Sequence, residues 1–278
     1  MTASATKPLD FSDITGKKKK VPENYNVPLQ SSYPDPEPQQ KENLKQYSPP
    51  QAMGYPVQQT GEGDELLQLF PIPVMISPYP VNYDKELEWI RNQPCRKDNR
   101  GGGNNCAPGG MVQHYNRQSE ETFILDKPEL SNVRAFIEAK LHKYVTEIMS
   151  SNDKLVITQS WLNKSGKGES HHEHVHPNSM ISGVWFPQIH EQMPPIQFRG
   201  GHQRDVALQS TKFNTFNSAT FMLPMKKGEL LLFPSNLSHS VPVNQGDEER
   251  ISLSFNTWPK GNMGDKQSLT YLPLERCV

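Results

Sequence analysis

The chain has 278 residues, with 29 Lys and Arg against 30 Asp and Glu, for a formal net charge of −1. That length accommodates one domain of roughly 200 residues with a substantial core, plus an extension. A balance so close to neutral argues against broad electrostatic binding to nucleic acid or to an anionic membrane. The cysteines Cys95, Cys106 and Cys277 are odd in number and lack CxxC spacing. No signal peptide or bilayer-length apolar run stands out. The expectation is a soluble, cytoplasmic protein in a reducing compartment, without structural disulfides.

Residues 1–65 contain much Pro, Gln, Ser and Lys, as in SSYPDPEPQQ and YSPPQAMGYP, and their aliphatic residues are never periodic. Such a segment buries too little apolar surface to offset its ordering entropy, so a disordered extension is expected. It either docks to a larger assembly or solubilises the chain. The folded domain is expected over residues 66–278.

Apolar residues first cluster in ELLQLFPIPVMISPYP (65–80), whose prolines mark an edge strand. NYDKELEWIRNQ follows as a short helix. RGGGNNCAPGG is a loop that lacks the Gly-Lys-Ser/Thr ending of a phosphate loop. The clearest helix is KPELSNVRAFIEAKLHKYVTEIMS. There Leu130, Val133, Phe136, Ile137, Leu141, Tyr144, Val145 and Ile148 form one apolar face, with His142 on the polar side. Beyond it the pattern turns to short strands punctuated by Gly, Asn and Pro: KLVITQSWLN, MISGVWF, IQFR, GELLLFPS, SHSVPVN and RISLSFNTW. The series predicts an all-β barrel or jelly roll with helices packed outside.

Residues 171–179 read HHEHVHPNS, placing four of the nine histidines within six positions. In an extended segment, residues two apart point the same way, so two imidazoles can meet one metal ion. Three registers are open: His172 with His174, His174 with His176, or His171 with Glu173. A metal needs a further protein ligand, and His239 in FPSNLSHSVPV is the candidate. His190 and His202 lie in loop-like text. Eleven residues after His239, Arg250 opens RISLSF. A hairpin through NQGDEE would return Arg250 to the neighbourhood of His239. There its buried guanidinium would need an anion such as a dicarboxylate, with Ser252 on the same side adding a hydroxyl.

The string WLNKSGKGESHHEHVHPNSMISGVWF, followed by GELLLFPSNLSHSV and RISLSFN, resembles the Fe(II)/2-oxoglutarate-dependent oxygenases related to prolyl hydroxylases. The likeness covers about residues 121–257. It implies a double-stranded β-helix, or jelly roll, and a dioxygenase hydroxylating a C–H bond with release of succinate and carbon dioxide. Fe(II) would be the cofactor, with 2-oxoglutarate and dioxygen as cosubstrates. By this resemblance His174, His176 and His239 are the metal ligands. Arg250 and Ser252 hold the far carboxylate of 2-oxoglutarate, and Asn163 hydrogen-bonds its metal-bound end. Ser182 and Phe186 are expected to line the pocket.

The sequence departs from the wider superfamily in having His176 where most members carry a carboxylate; Glu173 is an alternative carboxylate ligand. The substrate is expected to be a peptide or protein side chain or a small molecule, selected by the loops at 100–110 and 201–220. Two other readings compete: a cupin-like three-histidine metalloenzyme that does not use 2-oxoglutarate, and a non-catalytic jelly-roll module.

Overall fold

The computed structural model describes residues 57–60, 64–67, 70–97, 114–190, 192–200, 209, 211–214 and 216–274. Most of the expected extension and the Gly/Asn loop, together with His202, Cys106 and Cys277, lie outside the described residues. Contacts divide the chain into two units, 1–69 and 70–278. In the first, β1 (Val57–Thr60) and β2 (Asp64–Leu67) pair as an antiparallel hairpin.

The second unit carries two sheets among its described residues. The larger has the order β3 (Met75–Pro78), β12 (Glu229–Pro234), β9 (Ile181–Gln188), β14 (Arg250–Pro259), β7 (Leu155–Ser165), β6 (Arg117–Ser119) and β4 (Cys95–Lys97). The smaller has the order β11 (Thr220–Leu223), β10 (Ile196–Arg199), β13 (His239–Val241), β8 (Glu169–His174) and β5 (His114–Tyr115). This is the jelly roll that the strand series predicts, with β3 at the edge of its sheet. No helix among the described residues is long and apolar enough to cross a membrane.

Alternation along the strands decides where each side chain goes. On β14, Ile251, Leu253 and Phe255 join one core with Leu162, Ile181, Trp185, Leu230 and Leu232. The intervening Arg250, Ser252, Ser254 and Asn256 take the opposite face, as a period of two requires. Val184, Phe186, Leu231 and Phe233 occupy a second core with Ile196 and Phe198 of the smaller sheet, so this second core lies between the sheets. Gly183 admits the Phe255 ring: a Cβ there would stand 2.1 Å from Phe255 Cζ.

The first core is closed by helices. Helix α1 (Asp84–Arg91) begins where Asn82 Oδ1 accepts from the Asp84 amide at 3.0 Å, and it buries Leu87 and Ile90. A 3₁₀ turn at Pro128–Leu130 leads into α2 (Ser131–Lys143), whose Val133, Ile137 and Leu141 are buried at helical spacing. The last turn widens to a π-turn over Tyr144–Ile148. Tyr144 and Val145 stay buried, whereas Ile148 is 43 % exposed and leaves the expected apolar face. His142 is exposed, as its polar position predicts.

The expected hairpin between His239 and Arg250 does not form. β13 pairs with β8 and β10, while β14 pairs with β7 and β9. The NQGDEE segment crosses from one sheet to the other. Arg250 stands opposite Ser165 and faces the barrel interior from the larger sheet.

Candidate metal and cosubstrate site

β8 and β13 bring the histidines together across the smaller sheet. His174 pairs with His239, and His171 with Val241, so three steps along β8 match two along β13. This one-residue bulge disturbs the alternation at 172–173. His176 lies just beyond β8, fixed by its amide donating to Ser235 O at 2.9 Å. The potential ligand atoms of His174, His176 and His239 lie within 4.8 Å of one another. His174 Nε2 and His176 Nε2 are 3.2 Å apart.

Each of the three rings is held through Nδ1. His174 Nδ1 meets His172 O at 2.8 Å, His239 Nδ1 meets Leu237 O at 2.9 Å, and His176 Nδ1 meets Asn256 Oδ1 at 2.6 Å. An oxygen acceptor at Nδ1 assigns the proton there and makes Nε2 the atom that carries the ring's lone pair, the donor a metal takes. Burial, reinforced by His174, pushes the His239 pKa down to about 3, so this ring is neutral at ordinary pH. Behind His176, Ser182 Oγ lies 2.9 Å from Nδ1 and 2.8 Å from Ser235 Oγ, which donates to Ser179 Oγ at 2.8 Å.

Glu173 is not available as the alternative ligand to His176. It points away, accepting from Arg199 Nε at 2.7 and 2.8 Å and from Ser238 Oγ at 2.9 Å. Those bonds hold its carboxyl below the usual range. The alternative carboxylate ligand is thereby removed, and the group that converges is made of three imidazoles.

Deeper in the barrel, Arg250 is 3 % exposed. Its Nε has no acceptor among the described residues, its Nη1 reaches only Ser252 Oγ at 3.5 Å, and its guanidinium lies 5.2 Å from the Phe186 ring centroid. Desolvation lowers its pKa to about 10, which leaves it charged. A buried cation without a counter-charge is costly, and a bound carboxylate would remove that cost. Asn163 is buried nearby on β7. Its Oδ1 accepts from Asn116 Nδ2 at 3.0 Å and Gln118 Nε2 at 3.2 Å, and its Nδ2 donates to Ser254 Oγ at 3.0 Å. Both ends of that amide are therefore engaged with the protein, while Asn116 Oδ1 is buried without a partner among the described residues.

A cavity of about 340 Å³ opens in front of the imidazoles, lined in part by Arg96, Gln118, Gln159, Trp161, His171 and His172. Neither Ser182 nor Phe186 lines it. Ser182 is buried behind His176, and Phe186 packs beneath Arg250 and into the second core. The Trp161 indole N–H is buried without an acceptor among the described residues. His190 is remote from the group, 3.6 Å from Glu248. Asn256, Asn116 and Trp161 were not among the expected site residues. The alternation of RISLSFN would have indicated Asn256, which shares a face with Arg250; Asn116 carries no comparable signal.

The fold and the site together define a jelly-roll domain with a buried three-imidazole group and, inside the barrel, a cation unpaired among the described residues. Residues 159–256 match the family model described as "Putative 2OG-Fe(II) oxygenase". The matched stretch includes His174, His176, His239 and Arg250, and it supports an Fe(II)- and 2-oxoglutarate-dependent oxygenase. No curated protein matches the chain. Solved structures that resemble it include a Pseudomonas putida prolyl-4-hydroxylase, 10 % identical, covering 68 % of this chain and 94 % of that one with a TM-score of 0.46. HygX from Streptomyces hygroscopicus, with nickel and 2-oxoglutarate bound, is 11 % identical, with coverage of 68 % and 84 % and a TM-score of 0.47. A 2OG-Fe(II) oxygenase family oxidoreductase from Burkholderia pseudomallei is 10 % identical, with coverage of 66 % and 83 % and a TM-score of 0.46. These identities are too low for any of them to lend its substrate.

Proposed function

We propose that the protein hydroxylates a C–H bond of a substrate seated in the cavity before the imidazoles, with His174, His176 and His239 holding Fe(II) and Arg250 holding the distal carboxylate of 2-oxoglutarate. The observation that carries this reading is the buried Arg250 without a counter-charge, inside the same barrel as three imidazoles whose Nδ1 atoms are all tied back. A three-histidine metalloenzyme that does not use 2-oxoglutarate has no reason to bury that cation.

Bound Fe(II) and 2-oxoglutarate would supply the oxidising chemistry, one dioxygen being consumed as C–H becomes C–OH and 2-oxoglutarate leaves as succinate and carbon dioxide. The residues of the chain supply geometry. The backbone carbonyls of His172 and Leu237 and the amide of Asn256 fix the three rings before any ligand arrives, so little reorganisation accompanies binding. Arg250, with Ser252 beside it, gives a charged, desolvated contact for a carboxylate. Asn163, held by Asn116, Gln118 and Ser254, keeps the wall between the two ends in place. The cavity suits a side chain of a peptide or protein substrate, with Arg96 on its wall to meet acceptor oxygens.

Anaerobic addition of Fe(II) and 2-oxoglutarate tests this directly. A weak visible charge-transfer band is expected in the wild type, lost in His174→Ala and His239→Ala. Fe(II) binding that survives all three histidine-to-alanine changes would overturn the assignment.

A further inference from the structure

Half of the histidines in HHEHVH have no part in the proposed iron site. His171 and His172 nevertheless form, with His174, a second group whose ligand atoms lie within 4.8 Å of one another. The bulge against β13 explains how neighbours in sequence come to one side. This outer group is half-buried, whereas His176 and His239 of the inner group are buried. His171 and His172 line the cavity that leads to the inner group. The rings form a series: His171 stacks on His174 with centroids 4.5 Å apart, and His174 on His176 at 5.1 Å.

His174 belongs to both groups and cannot serve two ions at once. Its Nδ1 is tied to His172 O at 2.8 Å, which leaves a single lone pair, on Nε2. The two groups are therefore alternative seats for one ion, joined at His174.

We propose that His171, His172 and His174 form an outer capture seat, from which a divalent cation passes to the inner group with His174 bound throughout. In the exchange, the bonds from His171 and His172 break as those from His176 and His239 form. Every ligand exchanged is an imidazole, which binds a metal in its neutral form, so the metal keeps its charge and oxidation state. The ion sheds its water in stages rather than all at once at a buried site. The proposal rests on the assignment of His174, His176 and His239 as the metal centre.

Co(II), followed by its visible absorption, is the probe, added to metal-free full-length protein in stopped flow and then stripped with excess chelator. A seat on the path lowers the barrier in both directions and leaves the end state untouched. In His171→Asn/His172→Asn, uptake and stripping should both slow by about tenfold or more, with equilibrium affinity and final spectrum unchanged. The single variants His171→Gln and His172→Gln should fall between, and they carry the same test if the double variant does not fold. Unchanged rates, or a loss of affinity from faster stripping alone, would overturn the capture seat. Failure of the wild type to bind Co(II), or binding indifferent to His239→Ala, would instead overturn the inner site.

Discussion

Two buried cations on neighbouring strands of the larger sheet are treated in opposite ways. Lys164 is 4 % exposed and Arg250 is 3 % exposed. Lys164 stands opposite Ile251 and Arg250 opposite Ser165, which sends them to opposite faces. Lys164 Nζ donates to Arg91 O at 2.8 Å and to Gln93 O at 3.0 Å. It thereby closes the C-terminal end of α1, where the helix dipole favours a cation. Arg250 has no such carbonyls and no described acid beside it. A cation that belongs to the architecture comes with its acceptors; one that lacks them marks the seat of an incoming anion.

Breaking the comparison at Arg250 has the largest expected effect. Arg250→Ala should weaken 2-oxoglutarate binding on the order of a hundredfold or more, measured by anaerobic titration of Fe(II)-loaded protein. Its melting temperature should stay level or rise, because an unpaired buried charge has been removed. Lys164→Met should do the reverse. Orphaning the helix-end carbonyls should cost about 1–3 kcal/mol in denaturant unfolding, with the 2-oxoglutarate titration unchanged. A destabilised Arg250→Ala that still binds 2-oxoglutarate would exchange the two roles.

Asn256 shares the Arg250 face but acts on the metal end. Asn256→Ala removes the acceptor from His176 Nδ1 and should weaken Fe(II) binding by about tenfold, whereas Asn256→Asp, which keeps an acceptor there, should recover it. Competition titration against a chelator reads both.

The smallest effect concerns a third solution to burial, the neutral ring of His239. Its folded pKa of about 3 lies below the ordinary 6.5. The unfolded chain therefore takes up a proton that the folded chain refuses between those values. Stability of the metal-free protein should be flat above pH 6.5 and fall as pH drops through that window. His239→Asn should flatten the decline in chelator-treated melting curves.

The four central strands of the larger sheet, β12, β9, β14 and β7, were legible because they are long and coincide with apolar runs in the sequence, with strict alternation in β14. Helices α1 and α2 were legible from spacing and from their flanking turns. The short strands β4, β5 and β6 were not, because two or three residues give no period, and β11 lay at the end of text read as a covering loop. The sheet-to-sheet crossing after β13 was misread as a hairpin because turn residues announce a reversal without saying which sheet receives the chain. At the site, residue types and spacing pointed to the histidine segment and His239 but left three registers open; the family resemblance selected His174, His176 and His239, which the fold brings together. The outward turn of Glu173 depends on Arg199 and Ser238, distant in sequence, and no local pattern carries it.

The strict alternation of β14 has one more consequence. Slipping that strand by a single residue would send the guanidinium and its hydroxyl neighbours into oil and turn three large apolar groups into the reaction chamber. Catalytic competence and a well-packed interior are in this way one event, so damage on the helix-facing side, at Phe255 or Gly183, should be felt as lost cosubstrate capture before the chain as a whole comes apart.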